Sequence, residues 1–337
     1  MGWKRRAIEL AHRLGMFGAV AGAYGRRRLT VLAYHRIADP GAPEFGGFIG
    51  NVSATPAEFA DQMRWVADRF SVVTMSDVVA AAHGGSLPKR PLLITFDDGY
   101  RDNLTTAAPI LDALGLPASG FLATDLVGGS VGPWWDVVAE CFRVSQVGEA
   151  DLPVVGPSTW SDGHRQAFAW IVAAKRLSHD QLVRAVESLP STLEVSLGAV
   201  SPAGLMLGWQ EVATMAANGW EFGAHTCSHP ILTRLSLADA VREIEGSRSR
   251  VADAIGEVPI GFAYPNGQRG DFDGAVRGAV SDAGFRVAFT LVPGPARSKE
   301  VLADPLTIRR VYVHHGDGVP RLSAKTCGLP RFAGALR

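Results

Sequence analysis

Two acids stand side by side at the end of an apolar run: "LLITFDDGY" places Asp97 and Asp98 directly after Leu92–Phe96. Adjacent ionised carboxylates repel, so a chain that sets them together at the mouth of a buried strand has a cation or a proton to put there. Partners of the right chemistry occur in "EFGAHTCSHPIL", where His225 and His229 stand four positions apart after a second apolar run. Two imidazoles and a carboxylate make a borderline-soft site suited to Zn, Co, Ni or Fe, with coordination positions left for water. Each pair also has a plainer use, because Asp-Asp-Gly is a turn and helix-cap signal and spaced histidines are often structural. Their joint occurrence at two strand ends favours function.

The elements that must position these residues are legible as alternation. Short apolar, β-branched or aromatic runs recur at Leu29–Tyr34, Leu92–Phe96, Ala118–Ala123, Trp220–His225, Ile260–Pro265, Arg286–Leu291 and Ile308–Val313. Helix-like stretches separate most of them, among them "TPAEFADQMRWVADRF", "SLADAVREIEGSRSRVADAIG" and "FDGAVRGAVSDAG", several closed by Gly as helix C-termini tend to be. Alternating strand and helix predict an α/β protein with a mainly parallel sheet, and seven units predict a barrel rather than an open sheet. In such barrels the working residues gather at the C-terminal strand ends, where both acidic and histidine clusters stand. No strand runs into a glycine-rich phosphate fingerprint.

The rhythm breaks from about 127 to 207, which reads as a mostly helical insertion between two barrel strands and not as a second domain with its own core. The expected organisation is a basic N-terminal arm over 1–28, a catalytic barrel over 29–315 carrying the insertion, and a loosely ordered Gly-, Pro- and Arg-rich tail over 316–337. With 337 residues, 47% of them apolar, the chain can bury a sizeable core. Its 33 basic and 33 acidic residues cancel, so no overall field favours nucleic acid. Three dispersed cysteines, Cys141, Cys227 and Cys327, exclude a disulfide framework and favour a reducing compartment. Glu9, His12 and Arg13 interrupt the N-terminal apolar pattern, which argues against a secretory signal. The expectation is a cytoplasmic protein, with peripheral membrane contact through a basic amphipathic helix whose apolar members are Trp3, Ile8, Leu10 and Leu14.

"TFDDG" at Thr95–Gly99 together with "HTCSHP" at His225–Pro230 resembles the polysaccharide deacetylase family, carbohydrate esterase family four. "LAYHRI", "AAPILDALGLPASGFL", "LGWQEVATMAANGWEFG" and "FAYPNG" are similar to the family in the same order, so the resemblance spans roughly Leu29–Val313. It implies a distorted (β/α)7-type barrel that removes N-acetyl groups from amino sugars, or O-acetyl groups from some polysaccharides. Carried over by residue, Asp98, His225 and His229 would hold a divalent metal, most plausibly Zn, and Asp97 would act as general base on the water activated by it. A backbone N–H near Gly99–Tyr100 would face the oxyanion. The acid would be the histidine after a late strand, for which "VYVHHGD" offers His314, with His315 as the other choice.

Two departures qualify the resemblance. Many members carry an arginine before the proline pair of the third motif, where this chain has Ala263, a form similar to the branch acting on exopolysaccharides. Tyr264 and Pro265 would line the pocket there, alongside Tyr100 and Trp135, with Trp134 and Trp135 suited to stack on sugar faces. His35, after the first strand, reads as a structural histidine, and Cys227 as no ligand. The substrate expected is an N-acetylated polysaccharide or oligosaccharide. The alternatives are an O-acetyl esterase and a glycan-binding barrel that has lost its chemistry.

Overall fold

The computed structural model describes residues 2–17, 28–129, 132–196 and 204–328. Seven parallel strands form the centre: β1 Arg28–Tyr34, β2 Pro91–Asp98, β3 Ser119–Leu122, β4 Glu221–Ala224, β5 Gly261–Ala263, β6 Val287–Pro293 and β7 Ile308–Tyr312. Each pairs with its neighbour in chain order, and β7 pairs with β1 to close the barrel. The seven-unit barrel expected from alternation is thus the observed fold, and the seven predicted runs are its seven strands.

The period of two sorts the side chains. Along β2, Leu92, Ile94 and Phe96 join the layer beneath the helices, while Leu93 packs inside with Leu29, Val31, Phe121 and Phe289. The outer layer is closed by capped helices: Thr55 and Glu58 form a capping box on Pro56–Arg69, and Ser236 caps Leu237–Ile255, which ends on Gly256 at φ 73°. Inside the barrel, glycines at 223 and 261 leave room for Phe121 and Met75.

The segment between β3 and β4 differs from expectation. It holds the helices Trp134–Val144, Gly163–Ala174 and His179–Thr192, and an antiparallel hairpin of Glu149–Leu152 with Gly156–Thr159. Trp135, Val138, Phe142, Trp170, Ile171 and Leu189 bury one another in a cluster separate from the barrel layers. The insertion therefore has a core of its own, because its helices carry apolar stripes wide enough to pack on each other.

The C-terminal region also departs from the reading as a loose tail. Val319–Thr326 is a helix with Leu322 and Ala324 buried, and Ile8 and Phe17 pack on Ala324 and Cys327. The N-terminal helix Gly2–Arg13 thus spends Ile8 on the protein itself, while Leu10 and Leu14 are exposed. The side chain of Trp3 and residues 18–27 and 329–337 lie outside the described set. Among the described residues no helix is long and apolar enough to cross a membrane.

Candidate metal centre and active site

Asp97 and Asp98 could not both face the barrel mouth from a regular strand, because consecutive side chains point to opposite faces. The backbone solves this at Asp98, whose φ of 73° turns the second carboxylate back towards the first. Thr226 and His229 share that left-handed region, at 68° and 61°. Backbone strain at three non-glycine positions around one site is held only because the surroundings over-determine it. Glu243 supplies part of that restraint by accepting hydrogen bonds from the N–H groups of Cys227 and Ser228 and from the Ser228 hydroxyl. Cys227 itself points at this helix, its Sγ 3.5 Å from the Glu243 carbonyl, in keeping with a residue that is no ligand.

Asp98, His225 and His229 converge. Asp98 Oδ1 lies 3.5 Å from His225 Nε2 and 3.4 Å from His229 Nε2, and the three offer ligand atoms within 4.8 Å of one another. His225 Nδ1 stands 2.7 Å from the Ala263 carbonyl, a contact that places the proton on Nδ1 and leaves Nε2 free to ligate. Both Asp98 oxygens are buried with no hydrogen-bond partner among the described residues. Burial and the charge of Asp97 push its carboxyl well above the usual range. A buried carboxylate left so, facing two imidazole nitrogens, is a donor set that a divalent cation completes. The residues fit the metal implied by the resemblance.

Asp97 has a different partner. Arg310, fully buried on β7, meets it with two 2.7 Å bonds, one from each terminal nitrogen, and also donates to Thr95 Oγ1 and the Thr290 carbonyl. Burial raises the Asp97 carboxyl, yet the guanidinium outweighs it and the net shift is downward, so Asp97 stays ionised. The arginine missing at Ala263 is therefore replaced from another strand, reaching Asp97 past β1. Its signal in the sequence was a charge at an inward position of "IRRVYV", two residues after the inward Ile308.

His35, read as structural, is a member of the site. Its Nε2 is 3.8 Å from Asp98 Oδ2, its Nδ1 is buried without a partner, and burial pushes it down to about 3, so it is uncharged at neutral pH. His314 is placed instead against Tyr312, at 4.3 Å between ring centroids, with Tyr312 between it and His35 in contact terms, at 5.2 Å from the latter. His315 faces Glu58 and is exposed. Beside the two histidines that follow β4, the end of β1 brings a third to Asp98.

The expected pocket residues divide. Tyr264 is fully buried, stacked on Phe272 with its hydroxyl donating to the Leu306 carbonyl, and Pro265 is buried beside it. Neither lines the cleft. Tyr100 is also wholly buried: its hydroxyl donates to Asp136 Oδ2 at 2.7 Å and accepts from Trp135 Nε1 at 2.7 Å. Its segment bridges 205–207 through Arg101 N–H to the Leu205 carbonyl and Leu207 N–H to the Gly99 carbonyl, which turns the Tyr100 N–H to the opposite side. Trp135 does border the cleft, its ring edge-on to His229 at 4.6 Å. The cleft runs from His229 between Trp134, Trp135, Lys175, Ile231, Arg234 and Asn266.

The sequence pattern described as Polysaccharide deacetylase matches residues 84–288. The chain is 31% identical over 119 residues to a poly-beta-1,6-N-acetyl-D-glucosamine N-deacetylase of Staphylococcus epidermidis, covering 32% of this chain and 40% of that protein. It is 28% identical over 113 residues to the protein of the same name in Escherichia coli K12, covering 33% and 15%. The alignments thus span less than half of those relatives. Among solved structures, Streptococcus pyogenes deacetylase PplD in complex with acetate superposes with a TM-score of 0.59 at 17% identity, covering 89% of this chain and 98% of that one. IcaB from Ammonifex degensii gives 0.56 at 19%, covering 88% and 96%. At these identities the structures speak to the fold, and they agree with the seven-stranded barrel.

Proposed function

The chain belongs to the polysaccharide deacetylase family, and on that footing we propose that it is a metal-dependent hydrolase removing N-acetyl groups from amino-sugar units of a polysaccharide or its precursor. The observation that carries the reading is Asp98: a buried carboxylate with two unbonded oxygens facing His225 and His229, beside a second carboxylate already neutralised by Arg310. A glycan-binding barrel has no use for that second acid. The N-deacetylase names of the curated relatives support the choice of acyl group.

Asp98, His225 and His229 would hold the ion, which when bound acidifies water and polarises the amide carbonyl. Hydrolysis then moves one proton from water to the leaving nitrogen. Asp97, kept ionised by Arg310, is the acceptor, and each of its oxygens retains a lone pair beyond its bond to the guanidinium. His35, uncharged at rest and with Nδ1 unbonded, carries a proton to the departing amine, the role that His314 was expected to fill. The Tyr100 N–H, turned away from its bridge, is the backbone donor for the oxyanion.

The test is acetate release from N-acetylglucosamine oligomers by metal-stripped protein refilled with Zn or Co, with O-acetylated glycan run in parallel. Activity returns with metal and is lost in Asp97→Asn and His225→Ala. His35→Gln lowers kcat by about 10²–10⁴, the usual worth of acid–base catalysis, while His314→Gln remains within a few-fold of wild type. Release from the O-acetylated glycan alone makes the protein an esterase, and equal damage from the two histidine changes removes the assignment of His35.

A further inference from the structure

The cleft beside His229 is lined by two cations that the reaction above leaves without a task, Arg234, which donates to the Arg176 and Leu177 carbonyls, and Lys175. Lys175 follows the last residue of the insertion helix Gly163–Ala174 and lines the cleft together with Trp134, Trp135 and His229. Its ammonium is partly buried and has one hydrogen-bond acceptor among the described residues, Asn266 Oδ1 at 3.1 Å. No carboxylate among those residues lies within ion-pair distance of it. An ammonium has three donors, so two hydrogens remain for whatever enters the cleft.

The lysine is aimed by a built chain of contacts. Asn266 sits at φ 58°, in the turn after β5, and its Nδ2 donates to Asp271 Oδ2 at 2.6 Å, which forces Oδ1 towards Lys175. Asp271 is itself buried and accepts a second bond from the Gln268 N–H. Two elements far apart in sequence, the insertion and the third-motif turn, thus meet at a single amine beside the metal ligands.

Charge indicates what that amine takes. Asp98 and Asp271 already act on the Lys175 ammonium from the protein side. A sugar hydroxyl accepts hydrogen bonds from it without adding a third negative charge beside those two. The rings of Trp134 and Trp135 supply apolar surface beside the amine, the pairing of wall and polar anchor that a sugar ring needs.

We propose that Lys175 is a substrate-anchoring residue that determines specificity: held by Asn266, its ammonium donates to hydroxyl oxygens of a neutral amino sugar whose acetamide lies at Asp98, His225 and His229. This rests on the deacetylase reading. The test compares wild type, Lys175→Met and Lys175→Arg, all loaded with Zn, on neutral N-acetylglucosamine oligomers and on oligomers bearing a uronate. Steady-state acetate release is measured together with equilibrium binding, read by tryptophan fluorescence, and with Zn affinity.

Lys175→Met raises KM and weakens oligomer binding about 10–100-fold, the worth of a hydrogen bond to a charged donor. Its kcat and Zn affinity stay at the wild-type level, and Lys175→Arg recovers part of the binding. An unchanged KM and binding constant in Lys175→Met overturn the anchoring role, as does a loss confined to kcat or Zn affinity. A wild-type preference for the uronate oligomer that vanishes in Lys175→Met overturns the assignment to a neutral sugar. A wild type that binds Zn but releases acetate from neither oligomer removes the deacetylase reading, and the anchoring role with it.

Discussion

The pairing of Asp97 with Arg310 decides how the acid of this site behaves with pH. The guanidinium holds the carboxyl below its usual range, so this pair adds stability above that range, and the contribution is lost as pH falls through the lowered folded-state value. Arg310→Met leaves a buried carboxylate without its counter-ion, which destabilises by about 3–5 kcal/mol. It also lets the Asp97 carboxyl rise, so the acidic limb of the kcat/KM profile moves to higher pH. Arg310→Lys, which keeps the charge but not the two-pronged geometry, moves it in the same direction by less. A limb that stays in place in both variants, each shown folded by circular dichroism, would mean that Asp97 is not the group titrating. Spacing and residue type pointed to two histidines and an acid, and the resemblance picked Asp98 as that acid; these are the three residues whose ligand atoms converge. His35 was not legible, because a lone histidine after a strand has no signature until the barrel closes and brings β1 against β2.

Among the elements, the strands were legible and the connections less so. Most barrel strands are apolar on both faces, which makes them short uninterrupted runs; β7, with Arg310 inside, is an exception. The insertion was placed correctly between β3 and β4, yet its core could not be inferred, since an amphipathic stripe does not say which surface it covers. The same holds for Val319–Thr326, whose apolar face is matched by residues at the other end of the chain. Tight packing inside the barrel gives an element-scale prediction. A Cβ at Gly223 would stand 2.5 Å from the Gly261 carbonyl oxygen and 2.6 Å from the Phe121 ring. The backbone cannot retreat without moving β4 from β5, so Gly223→Ala destabilises by about 1–3 kcal/mol or more. Because His225 follows two residues later and bonds the Ala263 carbonyl, Zn affinity falls as well. Chemical denaturation and Zn titration check the two effects, and a stable variant with weakened Zn binding would separate strand spacing from overall packing.

For the molecule as a whole, the metal proposed at Asp98, His225 and His229 would link folding to acidity. Ligand at a hundred times its dissociation constant stabilises by about 2.7 kcal/mol, so chelation lowers Tm. In the stripped protein the Asp98 carboxyl is raised, so protonating it favours the folded state and its penalty fades as pH falls. Acidification also removes the ion by protonating its ligands. Both effects narrow the Tm gap between loaded and stripped protein on going from pH 8 to pH 5. Paired melts across that range measure the gap, and one that widens on acidification would exclude Asp98 as a ligand.

The span between Asp97 and Arg310 carries a consequence for how the protein comes into being. The two residues are 213 positions apart, and at about 5–20 residues per second of synthesis the acid waits roughly 10–40 s for its counter-ion. Both histidine ligands leave the ribosome well before Arg310 does. Until β7 is made, Asp97 stands beside Asp98 with no guanidinium to offset either charge. Arrival of β7 closes the barrel and discharges that excess at a single stroke.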